Sequence, residues 1–285
     1  EGFEVIYLDT DSIFVKKPNA DVEDFLGLAE KIRGQTGFEI SLAQHYRYLV
    51  LLPQDADPQI EAARRFYGKL TDGNIYYRGI ELRRHDCPIF LKQFEHKLLH
   101  ILLEAPSVEE ITRNRLKEAT GYTKETLEQV LSGKLAISEV AIRKILRMPV
   151  QRYRSLFPHV LAAIQLGEMN KPVKPGDPVE YVYVDGQQIN PMKRVAPAEI
   201  AETYDADKYA EMVLDVAESI LGVFGFSRTQ LGFQHRPKGF LEELRGDRGK
   251  EILLELESLQ DDMKRIHRRT WTGDAETSSY DLGEK

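Results

Sequence analysis

At 285 residues, 42% apolar and 30% charged, the chain is long enough for roughly two domains with proper cores. No run approaches the roughly 18 apolar residues of a membrane span, no signal peptide is visible, and the single cysteine, Cys87, excludes an internal disulfide and suits a reducing compartment. A formal net charge of −7 argues against a uniformly basic protein, but local clusters of basic residues outweigh the sum.

The chain opens on two β-rich runs, Val5 to Leu8 and Ile13 to Val15, around the polar Asp9-Thr10-Asp11-Ser12, which predicts a hairpin. Strand residues two apart share a face, so Asp9 and Asp11 can point the same way. Two carboxylates at a tight turn repel unless a cation sits between them; the plainer reading is a hairpin tip whose Asp and Ser residues merely suit a turn. Asp21 to Gln35 has mostly helical spacing, Phe38 to Leu42 alternates like a strand, and Tyr46 to Leu52 is a continuous β-rich run. Pro53 to Glu61 reads as a surface loop. Thr71-Asp72-Gly73-Asn74 signals a hairpin turn, with Ile75 to Leu82 as the returning strand.

From Cys87 onward the pattern is mostly helical. Phe90 to Leu103 is a linking helix, and Ser107 with Glu110 opens a helix at Val108 to Thr120. Further helices are expected at Lys124 to Leu131 and Ser138 to Leu146. Arg143 to Arg154 holds five basic residues and no acid, a pattern that by itself more often marks a solvated face. Gly176 to Gly186 reads as a short hairpin and Tyr204 to Phe224 as a long helix. Ile252, Leu256, Leu259, Met263 and Ile266 form a narrow apolar stripe, read as a helix docking onto its own chain, before a polar tail expected to be disordered from Thr272 to Lys285.

Tyr7-Leu8-Asp9-Thr10-Asp11-Ser12 resembles motif C of the family B DNA polymerases, usually Y-G-D-T-D-S, with Leu8 in place of the usual Gly. Arg64-Arg65-Phe66-Tyr67-Gly68 is similar to that family's K-K-x-Y-x-G segment, and Arg78-Gly79-Ile80-Glu81 with Arg83-Arg84 to the line that follows it. Aligned on Gly68, the family's lysine falls on Arg64 and its tyrosine on Phe66. Pro158-His159-Val160-Leu161-Ala162-Ala163 is similar to the P-H-V-x-A-A thumb signature. The resemblance covers about Gly2 to Phe226.

The resemblance implies an α+β fold: the C-terminal half of a polymerase palm over residues 1–90, a mainly helical thumb over 91–233, and a C-terminal helix and tail over 234–285. It implies DNA-directed DNA polymerase activity in a cytoplasmic, nucleoid-associated enzyme, with a two-metal Mg²⁺ site to which Asp11 contributes as direct ligand and Asp9 lies close. Arg64, Arg65, Phe66, Tyr67, Arg83, Arg84, Arg143, Lys144, Arg147, Arg152 and His159 would bind primer–template DNA. The family's motif A aspartate and motif B lysine helix are found nowhere, so a separate or missing N-terminal part is the expected partner, beside DNA and dNTP. This chain would then be a split subunit, a processed product or a piece of a longer chain. Gln230-Leu231-Gly232-Phe233 matches a sliding-clamp peptide only in part, lacking its second aromatic and spacing. A non-catalytic DNA-clamping subunit is the alternative, though such a subunit has no physical need of paired carboxylates at an exposed turn. A transferase with a chance D-x-D would leave the R-G-I-E and P-H-V blocks without a role.

Overall fold

The computed structural model describes residues 2–54 and 60–233. The stripe from Ile252 to Ile266 and the tail from Thr272 lie outside the described residues, as does most of the loop expected between Pro53 and Glu61. The chain forms two compact units. The first gathers residues up to 84 with 92–124 and 215–227, and the second gathers 85–91, 125–214 and the described residues from 228 on.

In the first unit, β1 (Glu4–Asp9) and β2 (Ser12–Lys16) form the antiparallel hairpin, with Asp9 opposite Ser12 and Thr10-Asp11 at the turn. Helix α1 (Val22–Thr36) begins where Asp21 and Asp24 cap each other reciprocally and ends at Gly37, whose φ of +73° a side chain would resist. Strands β3 (Tyr46–Pro53), β4 (Glu61–Leu70) and β5 (Ile75–Arg78) make an antiparallel meander in that order. Aromatic rings join hairpin to meander: Phe14 lies 5.3 Å from Phe66 and 5.4 Å from Tyr7, centroid to centroid. Tyr67 is fully buried, its hydroxyl donating to the Ile220 carbonyl at 2.8 Å, because an interior phenol must find an acceptor.

Helix α2 (Ile89–Leu103) buries Phe94, Leu98 and Leu102, and Phe94 stacks on Tyr122 at 5.5 Å. After it the chain stays helical from α3 (Val108–Glu110), through one wide turn at Ile111–Arg115, into α4 (Leu116–Leu131). The two helices expected at Val108 to Thr120 and Lys124 to Leu131 are thus one run, and Ser107 Oγ accepts the Glu110 amide at its start.

In the second unit, the short α5 (Ile137–Val140) is followed by β6 (Ile142–Ile145), which pairs with β7 (Pro178–Tyr183), which pairs with β8 (Val195–Pro197). Helix α6 (Pro158–Glu168) covers this sheet with Val160, Leu161 and Ala163 against Ile142, Leu146, Val179 and Tyr181. Helix α7 (Ala206–Leu221) is the predicted long helix near the end, and Tyr204 before it donates to the Val130 carbonyl at 2.7 Å.

Four sequence expectations are corrected here. Phe38 to Leu42 alternates but has no strand partner, so the segment is irregular; its Ile40 carbonyl accepts from Arg33 at 2.8 Å and Phe38 is 70% exposed. Ser138 to Leu146 is not one helix. β-Branched Ile142 and Ile145 take strand geometry because Pro178 to Tyr181 offers a ladder, and tertiary pairing overrides local preference. The Gly176 to Gly186 segment is therefore the central strand of a three-stranded sheet rather than a free hairpin. The strand from Ile75 ends at Arg78, where Gly79 turns the chain.

Glu95, on α2, is 1% exposed and accepts the backbone amide of Leu82 at 2.6 Å. Burial outweighs that bond and pushes its carboxyl up to about 7 from an ordinary 4.5. The folded chain holds this proton more tightly than the unfolded one, so the contribution is complete below about pH 4.5 and lost as pH rises through 7. Unfolding free energy is expected to fall by about 2 to 3 kcal/mol between pH 5 and 8 from this group. Glu95→Gln, which keeps an acceptor for Leu82, should flatten that part of the urea-unfolding profile; a variant with the wild-type slope would show that another group titrates.

Candidate active site

The site is built at the tip of the β1–β2 hairpin. Asp9 ends β1, and its carboxylate receives Arg64 Nε at 2.7 Å and 3.0 Å on its two oxygens, with Arg78 3.9 Å away. The Thr10 amide donates to the same carboxylate at 2.8 Å, and an Arg64 terminal nitrogen reaches Thr10 Oγ1 at 3.3 Å. The Arg64 hydrogen bonds first, then the Thr10 amide, hold the Asp9 carboxyl below the usual carboxylate range. Asp11 lies across the turn, exposed, with no hydrogen bond or ion pair among the described residues; its charge acts on Arg64 through space.

Arg64 reaches Asp9 because β4 bulges. Leu51 pairs with Phe66, yet Pro53 pairs with Glu61, so residues 62–65 on β4 oppose Leu52 alone. Within the bulge Arg64 has φ +59°, a left-handed conformation that costs a non-glycine residue free energy and is held by its surroundings. Tyr7 supplies part of that hold by accepting the Arg64 amide on its hydroxyl at 2.9 Å. Gly79, at φ +70°, supplies the rest of the space, since a Cβ there would run into the Arg64 carbonyl.

The remaining predicted residues separate into three groups. Phe66 and Tyr67, expected beside DNA, are buried at 3% and 0% exposure and pack the core, because β4 is the central strand of its sheet. His159, expected to face phosphates, is buried between Tyr153 and Phe157; desolvation, then Lys144 and Arg147, pull its pKa down, so the ring is neutral. The side chains of all three are buried.

A second group is partnered, with Arg65 half-buried and Arg83, Arg84, Arg143 and Lys144 exposed. Arg65 donates to Ser219 at 3.0 Å, Arg83 lies over the Tyr77 ring, and Arg84 meets Glu81 at 3.1 Å. The stretch around Arg143 lacks acids in sequence, yet strand pairing sets Arg143 opposite Glu180, 3.9 Å apart, and Lys144 meets Asp86 at 3.1 Å. The third group, Arg147 and Arg152, is exposed with no ion pair or side-chain hydrogen bond among the described residues, and so is Arg154. These three are the open cations of the segment.

Carboxylate oxygens are hard ligands of the kind Mg²⁺ takes, and Asp11 is exposed with no protein partner among the described residues. Among the described residues no three His, Cys, Asp or Glu side chains gather into a metal cluster. No helix among them is long and apolar enough to cross a membrane. Reading along the chain found Asp9, Asp11 and Arg64 but missed their linkage, as well as Tyr7 as an acceptor and Arg78 as a neighbour. The one signal available was Gly79, an isolated glycine at a strand end, which marks close backbone approach.

Comparison with known proteins shows what the chain is similar to. The model of DNA polymerase family B matches residues 1–221. DNA polymerase 2 of Aeropyrum pernix is 30% identical over 254 residues, covering 87% of this chain and 29% of that protein. The DNA polymerase of Archaeoglobus fulgidus is 27% identical over 206 residues, covering 72% of this chain and 24% of that protein. Among solved structures, the family B DNA polymerase of the hyperthermophilic archaeon Pyrobaculum calidifontis superimposes with a TM-score of 0.58 at 30% identity, covering 79% of this chain and 27% of that one. The chain spans less than a third of the length of each of these relatives.

Arg64→Ala is expected to raise the Asp9 carboxyl toward its ordinary value, since the largest cause of the depression is removed. The depressed carboxyl makes the pair complete above the ordinary carboxylate range and lost as pH falls through the Asp9 pKa. A carboxyl-carbon NMR titration reads this directly. An Asp9 titration unmoved in the variant would mean that Thr10 and Arg78 suffice.

Proposed function

Because the chain belongs to DNA polymerase family B, we propose that it supplies the part of a DNA-directed DNA polymerase running from the motif C hairpin through the thumb. In this reading residues 1–90 complete the palm and residues 91–233 form the thumb. The enzyme adds deoxynucleotides to a primer 3′ end, the primer hydroxyl attacking the α-phosphate and pyrophosphate leaving. The relatives are more than three times longer than the part this chain covers, and motifs A and B are absent from its sequence. Activity is therefore assigned to this chain together with an N-terminal part of the same polymerase, with primer–template DNA and dNTP as ligands.

The observation that carries the reading is the unequal pair of carboxylates at the hairpin tip: Asp9 is neutralised by Arg64, and Asp11 is open. Asp11 would hold Mg²⁺, with Asp9 beside it, and bound there the ion supplies charge neutralisation to the triphosphate. Arg64 keeps Asp9 ionised and fixed, so that two like charges at one turn are not left unbalanced. Tyr7 fixes the backbone from which Arg64 reaches. Arg147, Arg152 and Arg154 grip phosphates, setting affinity without reading sequence. Arg143 and Lys144 share their charge with Glu180 and Asp86 and contribute less.

In enzyme reconstituted with the N-terminal part, Asp11→Ala should abolish primer extension while primer–template affinity stays within a few-fold, because DNA is held by phosphate contacts elsewhere. Purified chain alone should extend nothing. A near-normal kcat in the Asp11 variant would hand the chain to the non-catalytic clamping reading. The double variant Arg147→Ala/Arg152→Ala should lower the slope of log K against log salt by about 2, near 0.9 per phosphate contact, with little change in Tm. An unchanged slope would return these arginines to an ordinary solvated face.

A further inference from the structure

One exposed aromatic, Phe157, follows the open arginines Arg147, Arg152 and Arg154 closely in the chain. Phe157 is 50% exposed, and its place is fixed from behind. Its carbonyl accepts the amides of Val160 and Leu161 at 2.9 and 3.0 Å, and its own amide donates to Ser155 at 3.0 Å. The ring lies nearly parallel to buried His159, 21° apart with centroids 5.9 Å apart, and Tyr153 meets both rings edge-on at 6.4 and 5.7 Å. The Tyr153 hydroxyl accepts the Arg147 amide at 2.9 Å, so the arginine-bearing backbone and the aromatic group are tied together. Arg152 and Arg154 flank Tyr153 in the chain.

We infer that Phe157 is a stacking platform for an unpaired base of a DNA strand whose phosphates lie on Arg147, Arg152 and Arg154. The inference rests on the polymerase reading and adds to it a preference for strand ends and frayed termini. The physical argument has two steps. Three exposed arginines close together in the chain, without anionic partners among the described residues, concentrate positive charge whose complement is a polyanion. Shortly after them, a half-exposed phenyl ring costs hydrophobic free energy in water, and a nucleobase face covers it well. In duplex DNA both faces of each interior base are already covered by neighbours, so a free ring finds a partner only at a base that has left its stack. His159 stays neutral where it backs the ring and adds no repulsion toward the arginines.

The test compares binding of the whole chain to fluorescein-labelled single-stranded dT20 and to a blunt duplex of 20 base pairs, by anisotropy over a salt series. Phe157→Ala should weaken dT20 binding about tenfold or more while leaving duplex affinity within about twofold and both salt slopes unchanged. Phe157→Trp should restore dT20 affinity. In a chain whose native Trp271 is replaced by Phe, the new indole's emission should be quenched by dT20 and not by duplex. If Phe157→Ala leaves dT20 affinity unchanged, or weakens both ligands equally, the platform is wrong. The arginine double variant then decides the rest: a lowered slope keeps the phosphate grip without the platform, and an unchanged slope removes both. Should Phe157→Ala lower Tm, the quenching of the Trp variant decides alone, and its absence overturns the inference.

Discussion

The bond between Arg64 and Asp9 is the constraint on which the hairpin site depends. Two carboxylates two residues apart at a turn tolerate each other only if one is neutralised. Here the neutralising group comes from another sheet, 55 residues along the chain. Reaching across demands a bulge in β4, a left-handed Arg64, an acceptor from Tyr7 and a residue without Cβ at position 79. Each requirement follows from the one before. The Arg-Gly at the end of β5 and the Tyr two residues before Asp9 are thus parts of one electrostatic arrangement.

This arrangement also divides labour within the turn. Asp9 is oriented and ionised by protein groups alone, whereas Asp11 is exposed and without a protein partner among the described residues. A carboxylate with a strong arginine partner is a poor prospective metal ligand, because a cation would have to displace a bidentate contact. An exposed carboxylate pays no such cost. The same logic sorts the basic residues: Arg143 and Lys144 have acids opposite them, and among the described residues Arg147, Arg152 and Arg154 do not. Composition alone counts all five as equal; pairing makes them unequal.

Sequence made local features legible where side-chain pattern and backbone demand agree. The hairpin around Asp9 and Asp11, the capped α1, the meander turn at Thr71 to Asn74 and the helix at Phe90 to Leu103 all follow from short-range chemistry. It failed where a distant partner decided. Ile142 to Ile145 is a strand only because Pro178 to Tyr181 lies beside it, and Phe38 to Leu42 is irregular because no strand does. The burial of Phe66, Tyr67 and His159 depends on sheet order and on α6 packing, which no local window contains.

The surface around Phe157 shows the same lesson from the other side. A phenylalanine before Pro158 reads, in sequence, as ordinary core material. Phe157 stands at the start of α6, where its carbonyl accepts two amides, and its ring is half exposed. His159, two residues on, takes the interior place instead. The helix start therefore exchanges a titratable ring for an apolar one at the surface, shortly after three arginines that have no ion pair among the described residues. Burying the imidazole removes a cation that repulsion from Lys144 and Arg147 would disfavour in any case. What remains outside is a flat, uncharged ring in a positive field, a combination suited to a polyanion that carries aromatic bases.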